Sequence, residues 1–379
     1  MRICLFSKNY GALDGCAQSV FDVIVSLTQS DIDLDILYNR RFPNIKNYDG
    51  VEIGGRFSLF QLPRRNIIDS IFYNKGRIKR IKNLKPDWCI VNGISGHARR
   101  LLFKDNFCSN NIIIIRESPR LCNFKLEENS LKKMISRMKF YNKYIFVSSN
   151  VMNEWKEILD LKDNQISYIP NCINESRAKE SSSKSKLELK DILNFNSQNF
   201  NISCVASIQY RKGQDLIFKN IKDIVEKIPS IHFHIVGKEK KPESEQMLSG
   251  IDQNFKDYFT FHGGKQNAID YLRASDVMIL PSRAEAFPRV TLESMAVGTP
   301  VVISDVDGNT EQIKHDITGK IFKNEDIESM ISCLSDLYEN PTLISEYSMK
   351  AEKYYFENFS RKIHIQNFKK TIRDFCFSN

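Results

Sequence analysis

Short, almost wholly apolar runs recur along the whole chain, each separated from the next by a stretch with helical spacing, and that alternation admits few folds. ICLF at 3–6, LDIL at 34–37, WCIV at 88–91, IIII at 112–115 and YIFV at 144–147 have the length and apolar density of strands buried on both faces. Between the first two, Val20, Ile24 and Leu27 repeat at helical spacing, with Val23 beside them. The second half repeats the scheme with ISCVASI at 202–208, HFHIV at 232–236, YFTF at 258–261, VMIL at 277–280, VVI at 301–303 and GKIF at 319–322. Strands alternating with helices predict a parallel sheet wrapped on both faces. A length of 379 residues is too great for one ordinary core. The expectation is α/β, with two consecutive Rossmann-like units.

The divisions follow from composition. Residues 1–175 form the first expected domain and 199–355 the second. Between them, 176–198 is expected to be a linker or loop, because NESRAKESSSKSK is rich in Ser and Lys and nearly free of apolar residues. From Pro341 to Phe375 the chain reads as two helices broken near Asn358–Ser360. Residues 356–379 are expected to pack back on the N-terminal domain.

Several classes are disfavoured early. The composition, 41% hydrophobic and 27% charged, is that of a folded soluble chain. No apolar run approaches the ~20 residues that cross a bilayer, and MRICLFSKNYG lacks the apolar stretch and cleavage site of a signal peptide. A cytoplasmic location is expected. The nine cysteines, at 4, 16, 89, 108, 122, 172, 204, 333 and 376, include no CxxC pair and are odd in number, so they read as buried thiols. Net charge is unevenly shared. Residues 1–174 hold 27 Lys+Arg against 17 Asp+Glu, while the remaining residues hold 28 against 29.

In open parallel sheets, ligands bind beyond the carboxyl ends of the strands, so the binding residues are expected in the loops that follow strands. The first, NYGALDGCAQSV, places Gly11 and Gly15 before a helix, where free N–H groups suit an anion. It does not fit GxGxxG, and a simple tight turn is an equal reading. The second, QYRKGQDLIF, sets Arg211 and Lys212 at a helix start that already carries partial positive charge. A docked polyanion such as a pyrophosphate relieves that misfit; two solvated cations are the plain alternative. The third, RAEAFPRVTLESMAVGTPVV, follows VMILPS and holds Glu285 in the loop and Glu293 one turn into the next helix. An acid between Ala284 and Ala286 at a strand's end is unlike an ordinary surface carboxylate.

Here the sequence resembles glycosyltransferase family 4, the retaining nucleotide-sugar transferases of GT-B fold. EAFPRVTLESMAVGTPVV resembles the family's donor-site signature. VASIQYRKGQDLI, HFHIVGK, FTFHGG, YLRASDVMILPS, DVDGNTEQI and TGKIF follow in register from about Ile202 to Phe322. VSSNV at 147–151 and YIPNCIN at 168–174 extend it more loosely. The resemblance implies two parallel sheets facing each other across a cleft. It implies that Glu285 contacts the donor sugar, Glu293 the ribose hydroxyls and Lys212 the pyrophosphate, with the Gly15 loop over the phosphates. Amides near Ala286, Phe287, Val290 and Thr291 would cap the sugar and β-phosphate, and His262–Gly263 would lie near the base. Many members carry Arg where this chain has Ser207, and Arg211 is expected to take over that charge. Some have a histidine aimed at the reacting centre where this chain has Asn92. Asn92 or His97 is expected to line the acceptor pocket. Arg116 and Glu117 either face that pocket or merely shape their loop.

The implied reaction moves a sugar from a UDP- or GDP-linked donor to a saccharide or lipid-linked saccharide acceptor in cell-surface polysaccharide or lipopolysaccharide synthesis. Cations and amide dipoles would neutralise the leaving phosphate, so neither a metal nor a cofactor is expected. DIDLD at 31–35 and DVD at 305–307 then have structural readings. The basic segments at 64–85 and 124–143 mix cations with aromatic residues and suit an anionic membrane face or a phosphate-bearing acceptor. Solvated helix faces are the alternative. Nucleic acid is disfavoured, because no recognition module accompanies the charge. Other readings of the same fold are a non-catalytic glycan-binding or scaffold subunit, a nucleotide-sugar 2-epimerase and a phosphorylase.

Overall fold

The computed structural model describes residues 1–10, 15–28, 32–41, 47–48, 51–52, 57–61, 79, 81–93 and 107–377. The chain divides into two units, one of residues 1–171 with 361–379 and one of residues 172–360.

The first unit holds strands β1 (Arg2–Tyr10), β2 (Asp33–Arg41), β3 (Asn47–Tyr48), β4 (Val51–Glu52), β5 (Phe57–Gln61), β6 (Trp88–Asn92), β7 (Asn111–Ile115), β8 (Lys143–Phe146) and β9 (Ile166–Tyr168). Seven of them form a parallel sheet in the order β5-β2-β1-β6-β7-β8-β9, and β3 and β4 pair antiparallel. Every residue of β7 is buried, which is why its sequence is an unbroken apolar run. The edge strands β5 and β9 are less conspicuous in sequence.

The final helix, Arg361–Phe377, belongs to this first unit. Phe368, Ile372 and Phe375 recur along one face of it and enter the same core as Ile3, Leu5, Val23, Ile24 and Leu27. Polar contacts fix its position: the Thr371 and Ser167 hydroxyls lie 2.9 Å apart, and His364 Nδ1 lies 2.7 Å from the Pro170 carbonyl oxygen.

The second unit contains β10 (Phe200–Val205), β11 (Ile231–Val236), β12 (Phe259–Gly263), β13 (Val277–Leu280), β14 (Val301–Ser304) and β15 (Gly319–Phe322). All pair parallel, in the order β12-β11-β10-β13-β14-β15. The order reverses at β10, whose neighbours are β11 and β13. Connections from the two strands on either side of such a reversal leave in opposite directions and open a crevice at their carboxyl ends.

The segment 176–198, expected to be a linker or loop, instead carries the helices Glu175–Ser182 and Lys186–Ile192 and lies within the second unit. Its polar residues act as caps: Asn174 Oδ1 accepts from the Arg177 amide, and Ser185 Oγ from the Glu188 amide. Lys186 and Lys190 pair with Asp276. Leu189 and Phe195 supply the buried anchor, packed with Tyr271 and Ala274. The chain passes back to the first unit after Ser360, between the helices Pro341–Asn358 and Arg361–Phe377.

Candidate functional site

The two loops that flank the strand reversal of the second sheet are stitched together. After β10 the chain makes a single turn, Tyr210–Lys212, and enters the helix Gln214–Lys219 through Gly213. Gly213 has φ +72°, and a Cβ there would fall 1.7 Å from the Pro281 carbonyl oxygen. Only glycine fits, because the loop after β10 lies directly on the end of β13. The Arg283 amide donates to the Arg211 carbonyl at 2.8 Å, and Arg211 Nη1 donates to the Ala284 carbonyl at 2.7 Å.

This contact delivers two cations to one acid. Glu285 is 7% exposed. Its Oε1 accepts from Lys212 Nζ, from Arg211 Nη1 at 3.0 Å and from Ser282 Oγ at 3.1 Å. Burial opposes ionisation of this carboxyl, but Lys212 and Arg211 outweigh it and hold the group below the ordinary glutamate range. The Glu285 amide donates to Asp307 Oδ2 at 3.2 Å, and the Gly308 amide to the Glu285 carbonyl at 3.3 Å. Asp307, in the DVD stretch, therefore fixes the backbone of the acid-bearing loop. Among the described residues, no group of three or more His, Cys, Asp or Glu side chains is placed to hold a metal ion.

Behind the turn stands Arg283, 5% exposed. Its two terminal nitrogens donate to the two oxygens of buried Asp215 at 2.7 and 3.0 Å. Nη1 also donates to the Tyr210 carbonyl at 2.6 Å, and Nε to Glu325 at 2.7 Å. The guanidinium lies 3.9 Å from the Tyr210 ring centroid. Arg283 thus clamps the turn that presents Arg211 and Lys212.

The helix Arg289–Ala296 begins after Pro288, which supplies no side-chain cap to its first turn. Thr291 lies in its first turn. The Thr291 hydroxyl oxygen is buried with no hydrogen-bond partner among the described residues. Ala286 and Phe287 are buried, the latter against Phe359 with ring centroids 5.6 Å apart. Val290 is half-buried. Burial pushes the Glu293 carboxyl up to about 7, against the attraction of Arg289 and Arg177. Ser207 accepts from Gln209 Nε2 at 2.9 Å. Arg211, four residues on, is the side chain that joins Lys212 at the acid. His262 and Gly263 end β12, two strands from β10 on the same carboxyl edge.

In the first unit, Gly15 begins the helix Gly15–Thr28, and His97 lies outside the described residues. Asn92 and Arg116 meet at the carboxyl ends of β6 and β7, with Arg116 Nε donating to Asn92 Oδ1 at 2.8 Å. Arg116 Nη1 reaches Asn171 Oδ1 at 2.6 Å, drawing in the segment after β9. The Glu117 carbonyl accepts from Trp155 Nε1 at 2.8 Å, so that residue takes part in holding its loop. Asn171 was not singled out from sequence, although it lies in the quoted YIPNCIN stretch. Ser282, Arg283 and Asp215 also escaped notice, since nothing in their spacing marks them, whereas Asp307 belongs to the DVD stretch already given a structural reading.

Two such parallel sheets in one chain are the GT-B architecture, and the chain matches a solved structure of that fold along nearly its whole length. The Anabaena protein Alr3699/HepE, in complex with UDP and glucose, matches at a TM-score of 0.77 and 14% identity, covering 98% of this chain and 99% of that one. The family described as "Glycosyl transferases group 1" matches residues 185–355 of this chain. An Escherichia coli UDP-Gal:alpha-D-GlcNAc-diphosphoundecaprenol alpha-1,3-galactosyltransferase is 29% identical over 197 residues, 50% of this chain and 51% of that protein. The lipopolysaccharide core biosynthesis mannosyltransferase LpsB of Rhizobium meliloti is 25% identical over 181 residues, 46% of this chain and 52% of that protein. The chain thus spans about half the length of these two curated relatives.

Proposed function

We propose that the protein is a hexosyltransferase that takes a sugar from a nucleoside-diphosphate donor, UDP- or GDP-linked, and retains its anomeric configuration. The acceptor on this reading is a saccharide or lipid-linked saccharide of a cell-surface polysaccharide or lipopolysaccharide. The observation that carries it is the buried Glu285 carboxylate held by Lys212, Arg211 and Ser282 at the strand reversal.

The chemistry of this reading takes its phosphate side from that geometry and its retaining outcome from the family resemblance alone. The bond from the sugar's anomeric carbon to the β-phosphate oxygen breaks, and the electron pair leaves with the phosphate. Lys212, Arg211 and the first amides of the helix Arg289–Ala296 stabilise the charge that develops there, already aligned before reaction. Glu285 takes hydrogen bonds from the sugar hydroxyls and does not attack carbon. The acceptor hydroxyl oxygen bonds to the anomeric carbon on the face from which phosphate departs, and its proton passes to the departing oxygen. Neutralisation of the leaving group by protein cations is the reason no metal is invoked. Glu293 receives the ribose hydroxyls. The Asn92, Arg116 and Asn171 group is the acceptor-binding candidate of the first unit.

No helix among the described residues is long and apolar enough to cross a membrane. Peripheral contact at the inner face of the cytoplasmic membrane is part of the same reading. The helix Glu128–Met138 buries Met134 and Met138 while carrying Lys132, Lys133 and Arg137, and Phe140 beyond it is 61% exposed. The basic segment at 64–85 lies largely outside the described residues.

The test is turnover of UDP- and GDP-sugars with a saccharide-lipid acceptor, comparing the wild type with Glu285→Gln and Lys212→Met. Loss of a preorganised stabilising group lowers turnover by about 100-fold or more. Folded variants that turn over at the wild-type rate would remove the assignment, as would a metal chelator that abolishes activity remove its metal-free part.

A further inference from the structure

The half of the second sheet away from Glu285 carries a histidine layer whose protonation is dictated by the backbone. His232 and His234 of β11 and Thr260 and His262 of β12 fall on one face, at alternate positions. The pairing register runs Ile235 to Phe261 and then Val236 to Gly263, so His262 is the extra residue of a bulge. A bulge re-aims the side chain it carries. Here it sets His262 Nε2 3.1 Å from His234 Nδ1. His234 Nε2 in turn lies 3.0 Å from Asn201 Oδ1.

The direction of every hydrogen in this row is settled from its far end. Asn201 Nδ2 donates to the carbonyls of Asn196 and Asn199 at 2.9 and 2.8 Å, which uses both its hydrogens and leaves Oδ1 toward the histidine as an acceptor. His234 Nε2 must then carry the proton and donate. In the neutral ring His234 Nδ1 is an acceptor, so His262 Nε2 carries a proton and donates to it. His262 Nδ1 is left with a lone pair. Burial, with help from the charges of Lys265 and His232, pushes the His262 ring down to about 4, and burial brings His234 to about 2, so both are neutral near pH 7. The rings are also fixed sterically. Phe195 lies flat on His234 with centroids 3.4 Å apart, and Tyr271 meets His262 edge-on at 4.6 Å.

His262 is half-buried, and its Nδ1 has no hydrogen-bond partner among the described residues. Gly263 beside it has φ +66° and open space where a Cβ would stand. β12 is two strands from β10, and neighbouring strands are about 4.8 Å apart, so His262 stands roughly 10 Å along the sheet edge from the turn that carries Lys212. A ribose and a base span that distance from their own phosphates.

We infer that His262 Nδ1 is a fixed hydrogen-bond acceptor that reads the ring N–H of a lactam-type nucleobase, uracil or guanine, an assignment that rests on the function proposed above. Uracil N3–H and guanine N1–H donate to a lone pair. Cytosine N3 and adenine N1 are themselves acceptors and leave two lone pairs facing each other, a mismatch worth about tenfold to a hundredfold in affinity. His234 acts through His262 as a positioning residue.

Calorimetric titration of the full chain with UDP, GDP, CDP and ADP tests the assignment, and the tighter of UDP and GDP tells which lactam base is read. The expected result is that one of the two binds about tenfold or more tighter than CDP and ADP, and that methylating its ring N–H removes the advantage. CDP or ADP binding as tightly, or an N-methyl analogue binding unimpaired, overturns it while leaving nucleotide binding intact. Binding of none of the four nucleotides sinks the proposed function as well. Nitrogen-edited NMR of the histidine-labelled wild type should find His262 protonated at Nε2 and bare at Nδ1; a proton on Nδ1 overturns the assignment without any ligand. His234→Phe keeps a ring against Phe195 but frees the tautomer of His262, and should shrink the lactam preference several-fold. An unchanged preference in that variant refutes the relay.

Discussion

Arg283→Met should separate the framework of the site from its chemistry. The change removes a buried guanidinium and leaves Asp215, 3% exposed at its side chain, with only Lys219 Nζ at 3.5 Å, itself 64% exposed. Removing one partner of a buried pair costs about 3–5 kcal/mol, because the other charge stays behind without compensation. The exposed Glu325 bond adds about 0–1 kcal/mol at most, and the stacking on Tyr210 about 0.5–1 kcal/mol. The second unit should therefore lose about 4 kcal/mol, nearly all of it from Asp215. Combining Arg283→Met with Asp215→Leu should restore most of the loss, since apolar replacements of similar volume leave no orphan charge. Both tryptophans, Trp88 and Trp155, belong to the first unit, so urea unfolding should be followed by far-ultraviolet circular dichroism. Nucleotide affinity, measured below the transition, should also fall about tenfold in the single variant, because the Tyr210 carbonyl loses its tether and misplaces Lys212. A single variant within about 1 kcal/mol of wild type would refute the reasoning. So would a double variant as unstable as the single.

Other outcomes follow from the same geometry. Glu293, with its folded pKa raised to about 7 by burial, should make nucleotide binding tighten between pH 6 and 8, and Glu293→Gln should flatten that profile. The sign for stability is opposite: a raised carboxyl penalises the ionised form, so this group's contribution falls as pH rises from its unfolded value through about 7, measurable by denaturant titration. Gly213→Ala cannot be accommodated at φ +72° with Pro281 oxygen 1.7 Å from the new Cβ, and the displaced turn should abolish nucleotide binding in a thermal-shift assay or prevent folding. Phe368→Ala should cost about 3–5 kcal/mol in the first unit, read by tryptophan fluorescence, without changing affinity for nucleotide.

How far the sequence reveals this molecule depends on whether a residue's task is periodic or particular. Central strands such as β7 and β13 are buried on both faces, so their tasks appear directly as apolar runs. Edge strands pack on fewer neighbours, and β5 and β9 carry too little apolar signal to stand out. The serines of 176–198 misled because a cap and a solvated linker want the same residue types, and only the partner amide distinguishes them. Glu285 was legible because an acid flanked by alanines at a strand end has few dull explanations. Arg283 was not, since a buried arginine differs from a solvated one only in what surrounds it. The histidines of HFHIV and FTFHGG offered a faint signal, alternate imidazoles on one strand face, but the direction of their protons depends on two carbonyls that no spacing could place.

The final helix carries a consequence for the order of events during synthesis. A ribosome makes residues 172–360 as one uninterrupted stretch, so that unit can close on itself while the chain is still attached. The part made first must wait. Ile3, Leu5, Val23 and Leu27 lack the cover of Phe368, Ile372 and Phe375 until the helix Arg361–Phe377 has been made. The first unit thus completes its core only after the whole second unit has been made, and until then the nascent chain carries an unfinished apolar surface that folding assistants can grip.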